Sequence, residues 1–397
     1  PENTVYSSVD GVLLSKDETS ILYFPCGRSG DYTIPDSVTS IAAYTFNNCD
    51  NLTSVTIGDS VSSISNFAFY FCDRLVSLAL GRSVNSISPE YFFQCNLIAE
   101  INVASENTVY SSLDGVVLSK DGATLVYFPP GRSGSYTIPG SVTSIANNAF
   151  YNCDNLTSVT TGDSITAINN YAFYGCDELT SVTLGSSVTF IGNEAFYICN
   201  KLTEINIDSG NSVYSSIDGV IFSKDQTTLL SCPSGRSGSY EIPENVTSVA
   251  SYAFLHCNDL TSVTIGDTVN TLGTYAFYGC YNLTTVIIGS SVTSISRSFY
   301  TCENLSEINV DPDNTAYSSI DGVLFSKDQA SLICYPCGKT GAYTIPDSVT
   351  FISNNAFENC INLTSVNIGT SVTSMGSQVF NQCTNLEAIT VDTENTA

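Results

Sequence analysis

The chain has 397 residues, with 12 Lys and Arg against 38 Asp and Glu and a net charge of −26. A nucleic-acid duplex or an anionic bilayer would repel such a surface, so no nucleic-acid partner is expected. No stretch approaches the roughly 18 apolar residues of a membrane span, so no membrane insertion of this segment is expected either.

The chain opens PENTVYSS, without the charged and apolar regions of a signal peptide, and stops at DTENTA in nearly the same phase of a repeat. This reads as a section of a longer array. Residues 3–8, 107–112, 211–216 and 314–319 read NTVYSS, NTVYSS, NSVYSS and NTAYSS. The long repeats run approximately over 1–104, 105–208, 209–311 and 312–397 of a single expected solenoid, 1–397. After each motif comes an insertion, seen in full at 107–139. Apolar runs flank Lys120-Asp121-Gly122 there, which predicts a projecting β-hairpin.

Between insertions a shorter period runs. Cysteine recurs at 49, 72 and 95, at 153, 176 and 199, at 257, 280 and 302, and at 360 and 383, a step of 23 residues with a single 22. In the coil 49–72, Leu52-x-x-Val55-x-Ile57 suits a short parallel strand facing inward, with Thr53, Ser54 and Thr56 outside. Gly58-Asp59-Ser60 is turn chemistry. Val61-x-x-Ile64 brings the chain back inward, and Asn66-x-Ala68-Phe69-x-x-Cys72 closes the coil with a tight helical or 3₁₀ turn. Thr161 holds an inward position that other coils fill with Ile or Leu, so a weak spot or a hydroxyl bonded to backbone is expected there. Fifteen such coils at the roughly 4.8 Å spacing of stacked strands would make a rod on the order of 70 Å long.

The frame Leu-x-x-Val-x-Ile-Gly…Val-x-x-Ile…Ala-Phe-x-x-Cys, plainest over 142–176, resembles the BspA-like (Treponema pallidum type) leucine-rich repeats, and does so over essentially the whole chain. The resemblance implies an α/β solenoid: a right-handed leucine-rich repeat superhelix with a parallel β-sheet on one side, here with periodic β-hairpin insertions. It also implies an extracellular or cell-surface protein, non-enzymatic and acting as an adhesin for host matrix or microbial surface proteins. It carries no catalytic residue, cofactor or metal ligand.

The residues themselves point the same way. The stacked cysteines read as small buried hydrophobes under Phe, because parallel side chains suit a disulfide badly. Cys26, Cys232, Cys334 and Cys337 lie outside this ladder; Cys334-Tyr-Pro-Cys337 has redox-motif spacing, but its copies carry cysteine at drifting positions. His256 is the only histidine and sits in a slot that other coils fill with Asn152, Gly175 or Gly279, a variable turn. The asparagines of the Asn-x-Ser/Thr sequons sit mostly before the strand Leu and read as part of the frame. Two ligand-contact candidates remain. Tyr70, Tyr151, Tyr174, Tyr197, Tyr278 and Tyr300 follow the core Phe of their coils and could stack on protein or glycan ligands. Glu100, Glu204 and Glu307 share one outward strand position and could mark a face for a cationic partner. The alternative to recognition is a structural spacer, or a filament built by end-to-end self-association.

Overall fold

A computed structural model describes residues 3–395. The chain forms two compact units. The first holds the residues up to Cys199 with Asp208–Ser212; the second holds Asn200–Ile207 and the residues from Val213 on.

In the first unit, strands Gly30–Thr33, Leu52–Ile57, Ser77–Leu80 and Glu100–Val103 form one parallel sheet, and Gly134–Thr137, Leu156–Thr160 and Ser181–Leu184 form another. Register is one coil per strand: Val55 pairs with Leu78 and Leu78 with Ile101. Along Leu52–Ile57 the Leu, Val and Ile side chains are buried and both Thr side chains exposed, as the spacing predicts. The outer hydroxyls tie coil to coil: Thr180 Oγ1 donates to the Thr157 carbonyl at 3.0 Å and Thr166 Oγ1 to that of Thr143 at 3.1 Å.

A second parallel ladder lies across the coil. Ser20–Tyr23, Ser40–Ile41 and Ser63–Ile64 form one run, and Thr124–Tyr127, Ser144–Ile145, Ala167–Ile168 and Phe190–Ile191 another. The second unit repeats the scheme, with long strands Gly238–Glu241, Leu260–Ile265, Thr285–Ile288 and Glu307–Val310, then Gly341–Thr344, Leu363–Ile368 and Ala388–Val391.

The insertions depart from the projecting hairpin. Tyr110–Leu113, Val116–Ser119 and Thr124–Tyr127 form an antiparallel meander whose last strand continues the second ladder. Its middle strand is buried at Val116, Val117 and Leu118, because three consecutive apolar residues must be covered on both faces. The motif NTVYSS builds this junction. Asn107 is fully buried; its Nδ2 donates to the carbonyls of Gly81 (3.0 Å) and Val84 (2.8 Å), and its Oδ1 accepts from the amides of Val109 (2.9 Å) and Tyr110 (2.8 Å). Ser111 Oγ donates across the meander to the Ser119 carbonyl at 2.9 Å, and Ser112 Oγ accepts from the Val103 amide at 2.9 Å.

The helical side of the α/β coil is also corrected. Among the described residues the single helical element is the 3₁₀ turn Pro89–Phe92, and the other coils close through turns. Most coils place two residues in the left-handed region, one before Ala-Phe and one before Cys: Tyr171 has φ 56° and Gly175 φ 71°, Tyr252 φ 59° and His256 φ 52°. A left-handed residue every few positions stops any α-helix. The turn amides bond to the next coil instead: Phe150 N to the Ala172 carbonyl at 2.7 Å, Phe173 N to that of Ala195 at 2.8 Å, Asn152 N to that of Tyr174 at 2.8 Å. Backbone groups that a helix would satisfy internally are thus satisfied between layers.

Phe side chains fill the space between the ladders. Phe150 and Phe173 stack at 4.6 Å between centroids, and Phe254 and Phe277 at the same distance, each pair worth about 0.5–1.5 kcal/mol beyond area burial. The ladder cysteines lie beneath them, and the thiol adds a polar role to the small apolar one. Cys72, Cys176 and Cys280 Sγ donate to the carbonyls of Phe46, Phe150 and Phe254 at 3.0, 3.0 and 3.1 Å. Burial pushes the Cys176 and Cys280 thiols well above their usual pKa, which keeps the donor proton in place.

Two ladder cysteines overturn the expectation that stacking disfavours disulfides. Cys49 is bonded to Cys26 and Cys360 to Cys337, while Cys334 is free. Cys26 and Cys337 stand one 23-residue period before their partners, with Cα atoms 4.3 and 4.2 Å apart. At these coils the backbones approach more closely than the ordinary strand spacing of about 4.8 Å. Thr161 takes the bonded-hydroxyl option: it is buried, donates to the Gly162 carbonyl at 3.2 Å and accepts from the Gly185 amide at 3.0 Å.

Candidate functional site

Glu100, Glu204 and Glu307 each begin a strand with the side chain exposed, followed by a buried Ile. Each lies under the first turn of the following meander. The amides of Ile101, Ile205 and Ile308 donate to the carbonyls of Gly115, Gly219 and Gly322, all at 2.9 Å. These glycines have φ of 76°, 75° and 73°, and a Cβ on Gly219 would lie 2.7 Å from Glu204 Cα. No larger residue fits so close a crossing without displacing the turn. The preceding Asp114, Asp218 and Asp321 sit in the left-handed region at φ 48° and form the turn with the glycine.

A cationic side chain reaches under the same turn. Arg132 Nη1 donates to the Asp114 carbonyl at 2.5 Å and Arg236 Nη1 to that of Asp218. The guanidinium of Arg236 also lies 5.1 Å from the centre of the Tyr240 ring, so it is held in place from two sides. In the second unit these groups enclose an open cleft of about 630 Å³, lined by Thr203, Glu204, Asn206, Asp218, Gly219, Arg236, Ser237 and Ser239. Glu204 Oε2 accepts from Asn206 Nδ2 at 3.3 Å, and Glu307 from Asn309 likewise at 3.3 Å. The cleft pairs two outward carboxylate side chains with one pinned guanidinium. Sequence reading found the Glu of this arrangement but not Asp218 and Arg236 as its neighbours. The signal was there in their fixed spacing after each NTVYSS motif.

The tyrosines are half-buried rather than open. Tyr151 stacks on Tyr174 at 5.1 Å and 6°, and Tyr174 meets Tyr197 at 5.5 Å. Tyr70 stacks on Phe93 at 5.7 Å, and Tyr278 on Tyr300 at 5.4 Å. Their faces are taken up by one another. Within the coil turns, more exposed rings stand at the left-handed position before Ala or Thr: Tyr44, Tyr171 and Tyr252. Tyr252 stacks on Tyr275 at 5.4 Å. Sequence reading missed this second column because a bulky ring is not expected at positive φ.

His256 occupies the left-handed turn slot, its ring edge-on to Tyr278 at 5.5 Å, and burial lowers its pKa. Burial, then the nearby Asp177, push the carboxyl of Asp154 up to about 6. Among the described residues no group of three or more His, Cys, Asp or Glu is placed to hold a metal ion, and no helix is long and apolar enough to cross a membrane.

Solved structures similar to this chain include bacterial leucine-rich repeat proteins. A leucine rich cell surface protein from Faecalibacterium prausnitzii is 25% identical with a TM-score of 0.53, covering 98% of this chain and 96% of that one. A leucine-rich repeat protein from Bacteroides ovatus is 21% identical with a TM-score of 0.42, covering 98% and 93%. The pneumococcal vaccine antigen PcpA is 20% identical with a TM-score of 0.45, covering 100% and 88%. No curated protein sequence matches the chain. The family model of the BspA type leucine rich repeat region matches residues 22–113, 132–237, 234–333 and 331–397. With the 23-residue coil, the inward Leu-Val-Ile frame and the Phe-over-Cys layers, these matches place the chain in the family of BspA type leucine-rich repeat proteins.

Proposed function

We propose that this protein is a non-enzymatic recognition protein of the cell surface or extracellular space, an adhesin that binds cationic patches on host matrix or microbial surface proteins. The observation that carries the reading is the recurring outward carboxylate, Glu100, Glu204 and Glu307, each crossed by a glycine turn that carries an Asp. On a chain of net charge −26 such a face steers basic protein surfaces and repels acidic ones. The exposed edges of the tyrosine columns supply amphipathic contact area. The surface location draws support from the Faecalibacterium prausnitzii protein, described as a cell surface protein. The winding is taken as right-handed, as parallel crossover connections nearly always are.

The test is surface binding to immobilised fibronectin, fibrinogen and mucins across a salt series. Wild type should bind at least one of them with salt-sensitive affinity. The triple variant Glu100→Gln, Glu204→Gln, Glu307→Gln should bind about tenfold more weakly, a loss of about 1.4 kcal/mol. No binding to any of the three, or binding indifferent to both salt and the variant, would refute the reading. The recurrence of one frame through four long repeats also suits a structural spacer or filament module; light scattering against concentration tests this, since a spacer stays monomeric and a filament grows.

A further inference from the structure

The second and fourth meanders are built on the same register but differ at several core positions, where Val117, Leu118, Tyr127 and Phe128 are replaced by Leu324, Phe325, Cys334 and Tyr335. Tyr127 and Cys334 each stand 20 residues after the motif Asn, at Asn107 and Asn314. Tyr127 pairs with Val117, and Thr124 with Ser144; Cys334 pairs with Leu324, and Ser331 with Phe351. The backbone therefore delivers the two side chains to equivalent places. The Tyr127 ring is buried and closes the aromatic column by meeting Phe92 at 5.9 Å, while Phe92 meets Phe69 at 5.6 Å. In the fourth meander the ring is missing. Phe299, the counterpart of Phe92, stacks on Phe277 at 5.5 Å, and on its other side Cys334 supplies only a thiol. The coil ending at Cys302 is also one residue shorter than its counterpart ending at Cys95, 22 against 23.

What remains is a partly open cavity of about 470 Å³. Phe299, Leu305, Ile333 and Phe351 supply the apolar part of its lining, serines and asparagines share the rest, and Cys334 lines it as a free thiol. Its mouth is polar and fixed. Arg297 lies over Tyr300 at 4.8 Å and Tyr275 at 5.2 Å and is ion-paired with Glu358, which also accepts from Asn381 Nδ2 at 2.9 Å. Arg297 and Glu358 stand where the first-to-second junction has Glu90 and Tyr151, so the mouth changed in the same copy as the cavity. A cavity with apolar and polar groups in its lining that has lost an aromatic side chain accepts a free aromatic ring carrying a polar substituent.

We propose that this cavity is a binding site for a small single-ring aromatic molecule, a phenol in its simplest form. The ring takes the place that Tyr127 fills in the second copy, and the polar substituent points to Arg297 and Glu358. The site is distinct from the acidic clefts and does not depend on the proposed adhesin role.

The probe is p-cresol, followed by saturation-transfer NMR and by thermal unfolding. Wild type should show transfer and a raised midpoint. Cys334→Tyr, which restores the missing ring, should raise the midpoint without ligand and abolish both effects of p-cresol. A second measurement needs no variant: labelling of the Cys334 thiol by iodoacetamide, read by mass spectrometry, should slow about tenfold at a p-cresol concentration about ten times Kd. Labelling of the half-exposed Cys383 thiol should not change. Absence of transfer in wild type, undiminished binding by folded Cys334→Tyr, or equal labelling of Cys334 with and without p-cresol would each overturn the proposal.

Discussion

Replacing Asn107 by Asp changes one atom in a fully buried side chain and tests how the long repeat is joined. In the wild type the amide makes four bonds, two donated and two accepted, all between 2.8 and 3.0 Å. The carboxylate of Asn107→Asp keeps the two bonds from Val109 and Tyr110. It loses both donations and turns a negative oxygen toward the carbonyls of Gly81 and Val84. Two buried acceptors left unmet cost about 1–3 kcal/mol each, so the variant should lose about 3–5 kcal/mol at neutral pH. Protonated, the acid donates one bond again and recovers about half of that. Its pKa in the folded state is therefore raised above the unfolded value of about 3.9. The sign follows by linkage: the ionisation penalty is absent below about pH 3.9 and grows as pH rises toward the folded pKa. The assay is urea unfolding of wild type and variant from pH 3.5 to 7, with amide hydrogen exchange at Val109 and Tyr110, because a repeat protein can open locally before it unfolds globally. Those two amides should stay protected in Asn107→Asp and lose protection in Asn107→Ala. Asn314, bonded in the same way to Gly289, Val292, Ala316 and Tyr317, should give the same result in the second unit. A difference under about 0.5 kcal/mol at pH 7, or one that does not shrink on acidification, would show that this amide does not hold the junction.

Asp154→Asn should stabilise the chain at pH 7. Its carboxyl is raised to about 6 by burial and by Asp177, so its ionisation opposes folding as pH rises from about 4 through that value; unfolding midpoints of wild type should fall over this window more than those of the variant. Asn200 and Asn258 occupy the same slot in other coils, which argues that the amide fits. Ile198→Asn should stabilise by about 0.5–1 kcal/mol, because a β-branched residue at φ 58° pays the left-handed penalty that Asn largely avoids; an unchanged or lowered urea midpoint would contradict this. Phe173→Ala should cost about 3–5 kcal/mol, since it empties a buried site and breaks ring stacks to Phe150 at 4.6 Å and Phe196 at 5.3 Å; a loss below about 1 kcal/mol in urea unfolding would mean the layers can collapse into the gap.

The sequence by itself determined the coil. A 23-residue step with Leu-x-x-Val-x-Ile fixes which side chains face inward, because strand alternation is a local property. The same step exposed Thr161 as an exception that must satisfy its hydroxyl. The turn role of His256 also followed, since a slot shared with Asn152, Gly175 and Gly279 is a turn position by residue type. Three things were decided only in the folded chain. Beyond the meander strands, the second ladder is made of two-residue strands such as Ser63–Ile64, too short to show a period, with neighbouring coils supplying the partners. The disulfides Cys26–Cys49 and Cys337–Cys360 depend on how closely the coil backbones approach, which spacing along the chain does not state. The tyrosines follow the inward Phe as their position predicts, yet their faces are spent on one another, because stacking brings residues 23 positions apart closer together than many nearer in sequence. Local alternation is written residue by residue; which surfaces stay open depends on what the next layer covers, and that is a property of the stack.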